Sequence, residues 1–336
     1  MRSIVLAGPG RIEIRERPAP APGPGELLLA PVAVGLCRTD LELADGSMVY
    51  LRQGLATFPL TPGHEWVARV VGQGEGVLGF APGDLVVGEC SIGCSHCRLC
   101  LAGSYHQCPD RAETGILRQA GAMSGLLAFP ARAAHRVPAD VAVEDAVFAE
   151  PAAVALRAVR RADWRPGRSV LVVGAGTIGW LAAAIALDLH GADVAILDAD
   201  PGRVGRAEAM GARRARADER FDIVIEASGH PAALQLALAS LAPGGRLVVV
   251  GLFGQAQLPV DVDRIVVSDH TLTGSLGSPG VWPALLALLG RGRLKPSALV
   301  SGRYALAEAP AAYAALAANA AGTGKLLIFP QDDDRA

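Results

Sequence analysis

The sequence predicts an α/β protein of two domains, one rich in short strands and the other a doubly wound parallel sheet. Three observations predict it. A length of 336 residues exceeds what one hydrophobic core usually supports. From residue 3 to about 138, Val- and Leu-rich runs at 26–34, 65–71 and 84–87 are punctuated by Gly and Pro, the pattern of a β-rich, barrel-like domain. After Trp164-Arg165-Pro166-Gly167-Arg168 the character changes, and strand and helix signals alternate.

In chain order, a strand run at 169–173 leads through a glycine cluster into a long apolar helical stretch at 178–190. Strands at 192–198, 221–226 and 245–251 then interleave with helices at 201–210 and 231–241. The strands read as continuous apolar runs, as parallel strands buried on both faces must. This places the doubly wound domain at 153–287, after a first domain at 1–152. The segment 288–336 carries a strand at 325–329 and returns to the first domain, and the polar tail 331–336 is expected to fray.

A formal net charge of −2 supplies no basic field for a nucleic-acid backbone. The opening MRSIVLAGPGRIEIRERP is too short in its apolar run, and too soon interrupted by charge, for a signal peptide or membrane span, so a cytoplasmic protein is expected. All six cysteines lie between Cys37 and Cys108, four of them within fifteen residues. In a reducing compartment that clustering favours metal binding over disulfides.

The run Gly174-Ala175-Gly176-Thr177-Ile178-Gly179 matches G-x-G-x-x-G between a predicted strand and a predicted helix. The first glycine permits the tight turn, the second lets backbone approach a pyrophosphate, and the third lets helix pack on strand, as in a Rossmann dinucleotide site. Asp198 follows Gly179 by nineteen residues, at the end of the second strand, where a carboxylate accepts hydrogen bonds from adenosine ribose hydroxyls. It would repel a 2′-phosphate, so NAD is expected over NADP. Otherwise the glycines merely make a tight turn and Asp198 caps the next helix. Arg203 is placed either on the adenine or on a solvated helix surface.

Cys94, Cys97, Cys100 and Cys108 give the spacing C-x2-C-x2-C-x7-C. Four thiolates in one loop close a tetrahedral shell, which is how a structural zinc is held. The competing readings are a lobe that has lost its metal and a small zinc ribbon for nucleic acid. His96 and His106 are expected at the surface, and Cys90 as a small buried residue.

Three further stretches supply a second set of metal-ligand types: Gly35-Leu36-Cys37-Arg38-Thr39-Asp40, Gly63-His64-Glu65 and Ala149-Glu150-Pro151. Together with the glycine motif and the cysteine lobe, they resemble the zinc-containing medium-chain dehydrogenase/reductase family over nearly the whole chain, closest to its polyol, threonine and aminocyclitol dehydrogenase branch. The resemblance implies a GroES-like β-barrel catalytic domain beside the Rossmann domain, and two zinc ions per chain. It implies catalytic-zinc ligands Cys37, His64 and Glu150, with Glu65 an alternative ligand. Asp40 would orient the histidine, as metal-bound imidazoles usually require. Thr39 would take the substrate proton, its competing role being a turn cap. Arg38 would contact the cofactor pyrophosphate, and Val250, Leu252 and Ser275 would lie near the carboxamide. A homodimer or homotetramer is also implied.

The chain departs from the family pattern at Glu42, where many relatives have a relay histidine. Glu42 is read as a proton shuttle, as a partner for a substrate amine, or as a solvated loop residue. The segment 46–54 is long, with Tyr50 and Arg52 as candidate substrate contacts, and Gly121-Ala122-Met123 replaces an aromatic wall. The expected activity is NAD(H)-linked oxidation of a secondary alcohol on a polyol, sugar, aminocyclitol or amino-sugar. A threonine-type amino-alcohol dehydrogenase is the runner-up. A zinc-free reductase and a non-enzymatic zinc-binding protein are disfavoured by retention of both ligand sets.

Overall fold

The structure, a computed structural model, describes residues 1–191, 193–254, 257–318 and 324–331. Residue 192, expected to open a strand, and the tail from 332 lie outside the described residues. Two compact units result: Met1–Glu150 together with the chain from Ser278 onward, and Pro151–Gly277.

The first unit is organised around the strand Glu26–Leu36. It pairs antiparallel with Glu65–Gln73, Leu127–Pro130 and Lys325–Phe329, in a seven-stranded sheet completed by Leu85–Gly88, Ala134–Arg136 and Val300–Ala305. The returning strand sets Leu327 opposite Gly35 and Leu326 opposite Leu36. Leu27, Leu29, Trp66 and Phe129 are buried in its core, Trp66 and Phe129 meeting edge to face at 4.9 Å. Such aromatic pairs add roughly 1 kcal/mol beyond the area they bury. A three-stranded sheet of Ser91–Ile92, Ala112–Thr114 and Arg118–Gln119 flanks the cysteine lobe.

The second unit carries six parallel strands in the spatial order Arg213–Arg214, Val194–Leu197, Val170–Val173, Phe221–Glu226, Leu241–Val249, Thr271–Gly274. Numbered within the unit this is 3-2-1-4-5-6, with the order reversing beside the first strand, where doubly wound sheets bind ligands. Val170–Val173 is buried throughout, in accord with its unbroken apolar run.

The later boundary falls at 277/278 and not at 287. The helix Trp282–Gly290 belongs to the first unit, where the Trp282 ring stacks on His135 at 4.9 Å and is almost wholly buried. Its apolar, helix-forming sequence resembles the preceding βα repeats, so only packing separates it from them.

Candidate metal centres and dinucleotide site

The cysteine lobe is shaped by its own backbone. Gly93 stands where a Cβ would lie 2.6 Å from Cys100 Sγ, and Ser95 takes a left-handed φ of 72° that turns the chain between the first two cysteines. Cys97 caps the short helix Arg98–Leu101 and accepts the Cys100 N–H at 3.5 Å. All four sulfurs lie within 4.8 Å of one another, with Cys94–Cys100 and Cys97–Cys108 at 3.8 Å. Zinc–sulfur bonds of ~2.3 Å put tetrahedral sulfurs about 3.8 Å apart, so the set fits zinc, and no disulfide forms. Backbone N–H groups of His96 and Cys97 lower the Cys94 thiol to about 6, while burial raises Cys100 to about 12. His96 is exposed as expected. His106 is not at the surface: the turn Tyr105–Gln107 folds it inward until 3% remains accessible. Cys90 is only partly buried, and enclosure still raises its thiol well above the ordinary range.

The second centre gathers residues distant in sequence. Cys37 caps the helix Arg38–Asp45, its N–H donating to Asp40 Oδ2 at 2.9 Å. The role of closing this turn therefore belongs to Asp40, and Thr39 stands half-buried within the first turn. His64 follows Gly63, whose φ of 102° and close contact with Met123 exclude a side chain. His64 Nε2 lies 3.1 Å from Cys37 Sγ, and His64 Nδ1 faces Asp40 Oδ1 at 3.7 Å. That last pair is buried with no hydrogen-bond partner on either atom. Burial disfavours a charged imidazole, yet the Cys37 sulfur and the Asp40 carboxylate outweigh it and hold His64 well above its usual pKa. Burial likewise raises the Cys37 thiol, against the pull of His64. A thiol, an imidazole and a carboxylate within 4.8 Å, with unpartnered atoms and a need for positive charge, fit a zinc ion.

Glu65 and Glu150 do not join that set. Glu65 Oε2 is bonded to Lys325 Nζ at 2.5 Å, both side chains almost wholly buried, and Gly35 leaves the room, since a Cβ there would lie 2.6 Å from the same oxygen. Glu150, in the first turn of Ala149–Arg161, has its pKa raised to about 7, by burial first and by Glu65 among its neighbours, with His64 opposing. Glu42 lies on a helix and not in a loop, paired with the exposed Arg38 at 3.3 Å. Tyr50 is half-buried in the helix Val49–Arg52 and bonded to Arg111 and Glu113, whereas Arg52 is exposed. Met123 is fully buried and accepts a contact from Tyr313 Oη at 3.7 Å.

In the second unit each glycine has the geometry its place in the motif requires. Gly174 has φ 95°, a Cβ on Gly176 would meet nothing within 4 Å, and a Cβ on Gly179 would lie 1.7 Å from Gly174 O. Gly176 caps the helix Thr177–His190, whose first turn begins with Thr177 and Ile178. A helix N-terminus beneath open glycine backbone is an anion site. Asp198 holds this loop: Oδ2 accepts from Ala175 N at 2.6 Å and Oδ1 from Asp200 N at 2.8 Å. The cap of the next helix is Asp200, bonded to the N–H groups of Gly202 and Arg203. Arg203 Nε stands 3.7 Å from Asp200. Val250 N donates to Glu226 O at 2.8 Å and Ser275 N to Val249 O at 2.9 Å, so these residues follow neighbouring strand ends. Ser275 Oγ is buried with no hydrogen-bond partner among the described residues, while Leu252 is exposed.

Sequence reasoning missed Lys325, although Lys295 and Lys325 are the only lysines and one of them falls inside an apolar strand. It missed Glu226, fully buried at a strand end, where Oε1 accepts from Ser228 N at 2.8 Å and Gly229 N at 3.0 Å. It also missed Arg111 and Glu113, for which no spacing signal exists.

Comparison with known proteins decides the family. Residues 23–139 match the alcohol dehydrogenase GroES-like domain and 177–291 the zinc-binding dehydrogenase domain. The chain is 35% identical to L-threonine 3-dehydrogenase of Streptomyces coelicolor, over 94% of this chain and 95% of that protein. The chain belongs to the zinc-dependent medium-chain alcohol dehydrogenase family. Erythritol/L-threitol dehydrogenase of Mycolicibacterium smegmatis is 32% identical over 92% of each chain. Alcohol dehydrogenase TADH from Thermus sp. ATN1 superposes with a TM-score of 0.89 at 31% identity, covering 98% of this chain and 99% of that one. This family member is therefore a zinc-dependent dehydrogenase acting on CH–OH groups, with a structural site on Cys94, Cys97, Cys100 and Cys108 and a catalytic site on Cys37 and His64. Among the described residues no helix is long and apolar enough to cross a membrane.

Proposed function

We propose that this dehydrogenase oxidises a secondary hydroxyl of a polyol, sugar, aminocyclitol or amino-sugar to a ketone, or catalyses the reverse, with NAD(H). The observation that carries the reading is the Cys37–His64–Asp40 cluster with the partly buried Glu150 in its electrostatic reach, a donor set richer in carboxylate than in thiolate. The relative named for erythritol and L-threitol supports it. When bound, zinc would supply Lewis-acid polarisation of the alcohol oxygen and the dinucleotide a hydride acceptor.

The chain's own residues supply the rest. Cys37 and His64 would hold the ion, with Glu150 drawn in from outside the tight cluster as third ligand and Glu65 a reserve ligand kept away by Lys325. Asp40 fixes the Cys37 backbone and faces the far nitrogen of His64. Thr39 accepts the substrate's hydroxyl proton and passes it to Glu42, three residues on and so on the same helix face. Val250, Leu252 and Ser275 would border the carboxamide, to which the unpartnered Ser275 Oγ would offer a hydrogen bond. Asp198, bonded to the glycine turn, would favour NAD by repelling a 2′-phosphate, and Arg203, held beside Asp200, would face the adenosine.

Assembly into a homodimer or homotetramer fits the edge strand Thr271–Gly274, bordered by Val262, Val266 and Val267 at 63%, 72% and 86% exposure. The deciding experiment is cofactor reduction with NAD and NADP in parallel over polyols, sugars, amino-alcohols and aminocyclitols. Polyol or sugar oxidation with NAD is expected. Turnover of threonine alone would transfer the reading to an amino-alcohol dehydrogenase, and turnover with NADP alone would remove the role given to Asp198.

A further inference from the structure

We propose that Tyr50, Arg111 and Glu113 form a substrate-recognition rim of the catalytic site, in which Glu113 accepts a hydrogen bond from a substrate hydroxyl other than the one oxidised. This inference rests on the polyol reading above.

One wall of the rim follows the helix that Cys37 caps, and the other packs against the loop that precedes His64. Tyr50 follows the helix that Cys37 caps, separated from it only by the turn at Gly46. Glu113 lies on the strand Ala112–Thr114, which is fixed to the backbone around Cys90: Thr114 N donates to Cys90 O at 2.9 Å, and Thr114 Oγ1 to Glu89 O at 3.1 Å. The next residue, Gly115, packs so tightly against the loop before His64 that a Cβ would lie 2.8 Å from Gly63 N.

The rim is rigid and built. Arg111 donates through Nε to Glu113 Oε1 at 2.7 Å, through Nη2 to Tyr50 Oη at 2.6 Å and through Nη1 to Cys108 O at 3.3 Å. The guanidinium thereby anchors the rim to the structural-zinc lobe with every nitrogen engaged. Tyr50 Oη donates to Glu113 Oε1 at 3.2 Å, and its ring lies under the guanidinium at 5.5 Å. Glu113 Oε2 has no hydrogen-bond partner among the described residues and is not sealed from solvent. The side chains are 12% exposed for Glu113 and 20% for Arg111, accessible to a ligand yet shielded enough for one hydrogen bond to count.

Charge selects the ligand class. One guanidinium cancels one carboxylate, so the rim carries no net charge to attract an ammonium group. What remains is an acceptor oxygen held beside a hydrogen-bonded phenol, which suits a neutral, hydroxyl-rich carbon chain. A site built to bond a hydroxyl discriminates strongly against the analogue that lacks it.

The test compares kcat/KM with NAD for a four-carbon tetraol and for 2-butanol, in wild type and in Glu113→Gln. The tetraol-to-butanol ratio is expected to fall at least about tenfold in the variant. A ratio that stays constant, whether both rates fall together or neither changes, would reduce the trio to a tether for the 46–54 segment and overturn the proposal alone. Wild-type oxidation of 2-butanol with no polyol accepted would remove the substrate reading and this inference together. Should Glu113→Gln fail to fold, Glu113→Asp keeps the charge beside Arg111 but withdraws the oxygen, and the same fall is expected.

Discussion

In the lobe at 94–108, four ligands come from fifteen consecutive residues, and each sulfur is positioned by turns and N–H groups of the same short stretch. At the Cys37 centre the donors come from a helix cap and from the residue before a strand, and the carboxylates around them are engaged by other protein groups: Asp40 by Cys37 N–H and Glu65 by Lys325. The first arrangement has four equal donors and no open position, so it can only stabilise. The second keeps surplus carboxylates of different availability, as an ion that must exchange ligands with a substrate requires. One ion is thus held by local geometry and the other by the whole fold of the first unit.

The sharpest way to break this comparison is to remove one ligand from each site. His64→Ala should lose one of two zinc ions and lower kcat/KM by at least about 10³-fold, with a loss of thermal stability smaller than that of a lobe variant, since its chief effect is on catalytic charge stabilisation. Cys97→Ser should also lose one zinc ion but lower stability by several kcal/mol, because metal binding and lobe folding are one process. Metal analysis beside thermal denaturation checks both, and equal stability losses would erase the distinction.

Lys325→Met probes the surplus carboxylate. Breaking a buried pair leaves an uncompensated charge and typically costs about 3–5 kcal/mol, so the metal-free variant should unfold well below wild type. Zinc should recover part of the difference if Glu65, once released, reaches the ion. Asp198→Ala should lower the NAD-to-NADP preference in kcat/KM by about 100-fold through lost ribose bonding and lost repulsion of the 2′-phosphate.

A further test is one of pH. Glu150 rises from the ordinary 4.5 to about 7, so between these values the metal-free folded state binds more protons than the unfolded chain. Stability of the metal-free protein should therefore fall as pH rises through that window, and Glu150→Gln should flatten the slope. Zinc affinity at the catalytic centre should strengthen over the same range, because the ligands must lose their protons. Titration calorimetry in wild type and variant checks the sign, and the lobe should respond differently.

Much of the architecture was readable because its causes are local. Gly174, Gly176 and Gly179 are glycines for three separate steric reasons, each dictated within a few residues, and the four lobe cysteines carry their own spacing. Cys37, His64 and Glu150 could be nominated only through resemblance, since nothing along the chain measures the distance between them.

By itself the sequence determined the parallel sheet, the nucleotide turn and the cysteine lobe, because hydrophobic period, turn stereochemistry and ligand spacing act between near neighbours. Only the tertiary structure decided that Lys325, from the last strand, seizes Glu65, that Arg111 joins Tyr50 to Glu113, and that Trp282–Gly290 belongs to the first unit. Those pairings unite residues up to 260 positions apart. They exist only where packing excludes water and makes an unpaired charge costly, a condition that no local stretch of chain can create.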